Sequence, residues 1–183
     1  MIGLWDVLLI GIGLSMDAVA VTVSNTLAYP CLTRARRLAM PVAFGLFQGL
    51  MPALGFFAGS FFADLINRYA GIVTLVILGG IGLNMVREGL HPDPEQSCAD
   101  RQLTLRMLLA QAVATSIDAF AVGVSFCAGG ADIFFAAPLI ALTTFLCSLL
   151  ALAAGRRFGG MLGNRAELLG GAVLILIGVK AMF

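Results

Sequence analysis

The run from Ile2 to Tyr29 is apolar almost throughout and long enough to cross a lipid bilayer, and five comparable runs follow it. A bilayer core of about 30 Å needs about 20 apolar residues wound as a helix. The segments near 3–28, 39–63, 69–89, 104–128, 133–155 and 165–183 meet that requirement. In lipid the backbone must satisfy its own hydrogen bonds, which leaves helices or closed barrels, and runs this long are helices. Composition agrees. Apolar residues make up 60% and charged residues 11% of the 183, against roughly 45–50% and about 25% in soluble domains. The expected fold is an all-α integral membrane protein of six transmembrane helices, with the lipid bilayer as its solvent.

The polar breaks orient the chain. Arg34, Arg36 and Arg37 fall in the first break, Arg87, Arg101 and Arg106 around the third, and Arg156, Arg157 and Arg165 around the fifth. Only Arg68 and Lys180 lie on the other side, so nine of the 11 basic residues share one face of the membrane. The positive-inside rule then puts the three basic breaks in the cytoplasm and both termini outside it. The first Lys or Arg is Arg34, so no basic stretch precedes the first run and no cleavable signal peptide is expected. Residues 91–103 are polar, carry Pro92 and Pro94, and read as a cytoplasmic linker between halves 1–90 and 104–183.

The halves share a phrase. The first run contains "GLSMDAVAVTVS" and the fourth "ATSIDAFAVGVS". At one constant offset Ser15, Asp17, Ala18, Ala20, Val21, Val23 and Ser24 match Ser116, Asp118, Ala119, Ala121, Val122, Val124 and Ser125. Each half holds an odd number of spans, so the second copy must enter the membrane from the opposite side. Two inverted three-helix repeats follow, the architecture of many secondary transporters, with the site near the midplane between them. Asp17 and Asp118 each lie about 14 residues into their helices, close to the bilayer centre at about 1.5 Å per residue. Intramembrane acids are costly and mark ion paths. The two aspartates read as two halves of one cation site.

Other oxygens fall nearby. Residues seven apart share a helical face, which aligns Asp17 with Ser24 and sets Gln111, Asp118 and Ser125 on one stripe about 21 Å long. In "FGLFQGLMPALG" Pro52 cannot donate to the carbonyl of Gln48, so Gln48 offers a side-chain amide and a freed backbone oxygen. Thr144 and Ser148 occupy the equivalent place in the fifth run. Ser24, Ser125, Gln48, Gln111, Thr144 and Ser148 are candidates for supporting a metal or proton path; ordinary hydrogen bonding between helices would use the same groups. Oxygen donors suit Mg, Ca or Mn better than Cu(I). Two carboxylates neutralise one divalent cation, and when empty they cannot both stay ionised in a poor dielectric. The pair would hold a proton when empty and release it when a cation enters.

Several classes drop out. His91, the single histidine, lies in the linker and supports neither a His-rich metal site nor a nucleophile–base pair, so an enzyme is not expected. Cys31, Cys98, Cys127 and Cys147 form no C-x-x-C pair and read as small apolar fillers or inert loop thiols. Net charge is +1, with no basic run interleaved with aromatics, which argues against nucleic acid. No cofactor is expected.

The paired "SMDAVAVTVS" and "SIDAFAVGVS" phrases, "FGLFQGLMPALG" and "VREG" resemble the MntP-type manganese exporters of the lysine-exporter superfamily. The resemblance covers essentially the whole chain. It implies a bacterial inner-membrane protein that exports excess Mn(II), with Asp17 and Asp118 as the key residues. Gln48 stands where some members of that family carry an acid, a departure from a third carboxylate ligand. Three readings stay open: an exporter of Mn(II) in exchange for protons, an exporter of another metal or an amino acid, and a non-transporting membrane component. An amino acid would need a cationic partner for its carboxylate, and no Lys or Arg is expected at mid-membrane.

Overall fold

A computed structural model describes residues 3–58, 63–90, 103–162 and 166–180. Among these residues the chain forms seven α-helices and no strand: α1 (Leu4–Ala28), α2 (Arg34–Ala58), α3 (Ala63–Leu90), α4 (Leu105–Thr115), α5 (Ile117–Ala128), α6 (Ile133–Leu162) and α7 (Ala166–Lys180). The linker residues 91–102, with His91 and Cys98, lie outside the described residues, as does Arg165.

Helix ends follow local chemistry. The Gly3 N–H donates to Asp6 Oδ2 at 2.9 Å, which satisfies a free donor at the start of α1. Thr104 caps α4, its hydroxyl accepting from the Met107 N–H at 3.2 Å. Pro30 follows the end of α1, where the Tyr29 N–H closes on the Asn25 carbonyl at 2.9 Å.

The exterior is apolar and the interior holds the amides. On α2 the exposed side chains Leu38, Val42, Leu46, Leu50 and Leu54 recur every four residues, while Phe44, Gly45, Gln48, Gly49 and Pro52 are buried. A soluble helix shows the reverse, with polar residues outward. Among the described residues three helices are long and apolar enough to span a bilayer: Leu4–Ala28, Arg34–Ala58 and the Ile133–Arg157 part of α6. A fourth span results if α4 and α5 count as one, and α3 contributes a shorter apolar stretch, Leu75–Asn84.

Small residues let the helices touch. Gly45 and Gly49 of α2 lie against Ala141 and Ala137 of α6, the small-xxx-small arrangement that brings backbones together in lipid. Gly55 of α2 and Gly123 of α5 are packed so closely that a methyl group on either would collide with a carbonyl, of Phe120 and Pro52 respectively. These contacts also give direction. Gly11 meets Ile140 and Thr143, and Gly155 meets Thr26, so α1 and α6 run the same way. Gly45 meets Phe145 and Gly49 meets Ala137, so α2 and α6 run oppositely.

Two expectations are corrected. The fourth run is not one continuous helix, because Ser116 separates α4 from α5 and the pair bends by 40°. Adjacent hydroxyls explain the break. Thr115 Oγ1 donates to the Gln111 carbonyl at 2.9 Å, and Ser116 Oγ to the Ala112 carbonyl at 2.6 Å. Such back-bonding competes with the helical ladder and bends it. The Ser116 N–H closes instead on the Val113 carbonyl, three residues back. Second, Cys31 is disulfide-bonded rather than an inert thiol, while Cys127 and Cys147 are free.

Candidate cation site

Asp17 is half-buried in the middle of α1, and Asp118 is exposed in the first turn of α5. Their carboxylates lie within electrostatic range of each other. The two carboxylates of the duplicated phrase thus feel each other's charge, from unlike settings and from helices that do not pack side by side. The break at Ser116 gives Asp118 a helix N-terminus. Its Oδ1 accepts the Ala119 N–H at 2.8 Å, and the positive end of the helix dipole faces the charge. Asp17 has continuous helix on both sides.

Gln48 reaches the same layer. Its Nε2 donates to the Leu14 carbonyl at 3.2 Å, about 4.5 Å along the axis from Asp17. Its Oε1 is buried with no hydrogen-bond partner, as are Thr144 Oγ1 and Ser148 Oγ. The contacts of Gly11 with Thr143 and of Gly155 with Thr26 put Thr144 and Ser148 of α6 beside the Asp17 turn of α1. Buried polar atoms without partners are rare and costly. These three oxygens can take part in ligation without first breaking a hydrogen bond.

The remaining candidates are differently engaged. Gln111 pairs with Asn25: Asn25 Nδ2 donates to Gln111 Oε1 at 2.7 Å and Gln111 Nε2 returns to Asn25 Oδ1 at 3.0 Å. Both residues are fully buried. The pair lies about 12 Å from Asp17 and about 10 Å from Asp118 along their helices. Ser125 is exposed and donates to the Ala121 carbonyl at 3.0 Å. The predicted stripe of Gln111, Asp118 and Ser125 is thus interrupted by the bend. Ser24 is buried at 1% exposure. Among the described residues no group of three or more His, Cys, Asp or Glu assembles.

Sequence reasoning passed over three features. Asn25 follows Ser24 in an apolar helix, and a buried amide there could have been flagged as needing a partner. The Thr115–Ser116 dipeptide, replacing Leu14–Ser15 of the first copy, was the visible sign of the break. Lys180, expected away from the site, stands in the last turn of α7 with its charge in range of both carboxylates.

Long apolar helices with a polar interior and small residues at their contacts define a multi-pass membrane protein. The family model described as "Putative manganese efflux pump" matches residues 31–182, and the chain belongs to that family. A relative in Ruminiclostridium cellulolyticum is 44% identical over 177 residues, covering 97% of this chain and 94% of the relative. One in Methanothermobacter thermautotrophicus is 40% identical over 179 residues, 98% of this chain and 95% of its own length. One in Methanobrevibacter smithii is 36% identical over 180 residues, 97% and 95% of the two chains. All three carry the name "Putative manganese efflux pump MntP". No solved structure matches the chain.

Proposed function

We propose that this protein exports Mn(II) from the cytoplasm of a bacterial cell, in exchange for protons, through a mid-membrane site built on Asp17 and Asp118. The observation that carries the reading is the duplicated acid, Asp17 in α1 and Asp118 in α5, each within the other's electrostatic range, with the buried, unpartnered Oε1 of Gln48 one turn from Asp17. Family membership supplies the metal: the relatives are named for manganese efflux. Mn(II) suits oxygen ligands. Two carboxylates balance its charge, and the open oxygens of Gln48, Thr144 and Ser148 offer neutral ligands in the same layer. Without metal the paired like charges favour uptake of a proton, and an arriving cation displaces it.

Six spans in two inverted three-helix repeats, with both termini outside, complete the proposal. The parallel course of α1 and α6 and the antiparallel course of α2 and α6 suit such an arrangement. Exposure of the site to each side in turn would follow from rocking of one repeat against the other. The Asn25–Gln111 pair bridges the first and fourth spans on one side of the aspartates and would form a closed gate there.

Manganese accumulation is the test. Cells expressing the protein are expected to hold less Mn(II) under manganese stress than cells without it, and equal accumulation would sink the reading. A second reading is favoured by Lys180. Its ammonium supplies a cationic group near the carboxylates, which an exported amino acid would need. Amino-acid release from the same cells, with manganese unchanged, would select it.

A further inference from the structure

At the end of the bundle where α1 finishes and α2 begins, a cavity of about 200 Å³ is lined by Arg37 of α2 and Arg156 of α6. Leu32 and Met40 form apolar wall, both buried. Arg37 is held in place, its Nη2 donating to the Pro30 carbonyl at 3.0 Å. That bond uses one of five guanidinium donors. Arg156 is carried there by the packing of Gly155 on Thr26, which also lines the cavity. Two guanidinium groups from separate helices therefore share one cavity, and no carboxylate is among the described residues that line it. Like charges brought together this way repel unless an anion joins them.

We propose that this cavity binds a phosphate group at the membrane surface, carried by an acidic phospholipid. Guanidinium forks match phosphate oxygens in geometry and charge. The position suits a lipid. Arg34, Arg36 and Arg157 are exposed around it, so it lies at the level of the head groups. The outward stripe of Leu38, Val42 and Leu46 starts beside Arg37 and offers a track for an acyl chain. The site is separate from the aspartate pair and does not rest on the transport reading.

Thermal unfolding of the purified full-length protein in detergent tests it, with phosphatidylglycerol, phosphatidylcholine or inorganic phosphate added. Phosphatidylglycerol is expected to raise the midpoint by about 5 °C where saturating, with phosphatidylcholine giving no such shift. Arg37→Gln and Arg156→Gln should lose the shift; Arg157→Gln, with the same change in charge outside the cavity, should keep it. An equal shift from inorganic phosphate would support the phosphate chemistry and assign it to a soluble anion. Persistence of the shift in both cavity variants, or an equal shift from phosphatidylcholine, would overturn the proposal. Native mass spectrometry of the unaltered protein in mixed micelles covers variants that fail to fold. Enrichment of phosphatidylglycerol above its supplied ratio is expected there. No enrichment, with no response to inorganic phosphate, also overturns it.

Discussion

Asp118 stands where a helix begins and Asp17 where one continues, so two copies of one phrase deliver unlike carboxylates. Asp118 has the Ala119 N–H and the positive end of α5 to hold its charge. Asn at either position keeps size and loses charge. Asp17→Asn and Asp118→Asn are each expected to abolish manganese resistance in an expressing strain while the protein still inserts. Normal export by both would remove the two-carboxylate site. Protons and metal compete for the same oxygens, so Mn(II) binding should weaken steadily as pH falls from about 8 to about 5. Titration of the purified protein with Mn(II) across that range checks the sign, and an unchanged affinity would contradict the exchange. Lys180→Met removes a positive charge acting on both aspartates and should tighten Mn(II) binding several-fold in the same titration.

Among the elements, the α4–α5 break and the α1–α4 amide pair carry the most consequence. Both hydroxyls of Thr115 and Ser116 bond back to the α4 backbone. Replacing both residues by Ala is expected to straighten the helix, take Asp118 from its N-terminal position and impair export at normal protein levels. Unimpaired export would show that the break is dispensable. Asn25 and Gln111 satisfy each other in a dry interior. Changing either alone to Leu strands the other amide, at a cost of about 1–3 kcal/mol. The double Leu variant should lose less than the sum, and a thermal-stability cycle of the four proteins measures the coupling. Additive losses would mean that the two amides do not act as a pair.

For the molecule as a whole, orientation is the property most open to test. Cys127 is a free, exposed thiol beside the turn at 129–132, and the arginine asymmetry puts that turn outside. An impermeant maleimide should label it in intact cells, whereas Arg34→Cys should react only after lysis; the reverse pattern would invert the topology. Sequence alone determined the solvent, the helical class and the presence of an acid within two apolar helices, because apolar run length and backbone bonding in lipid are local properties. It placed the ends of α1 and the starts of α4 and α6 to within a residue, whereas α2 and α3 begin five or six residues earlier than the apolar pattern suggests and α6 runs seven residues further. Spacing fixes which residues share a face of their own helix but not how that helix is rotated against its neighbours. Only tertiary structure decided that Gln111 is engaged by Asn25, that Ser125 turns back onto Ala121, and that Gln48, Thr144 and Ser148 keep open oxygens. It also brought Lys180, the farthest of these in sequence, within range of Asp17 and Asp118, since contacts between distant helices follow from packing at glycines and alanines rather than from the local pattern.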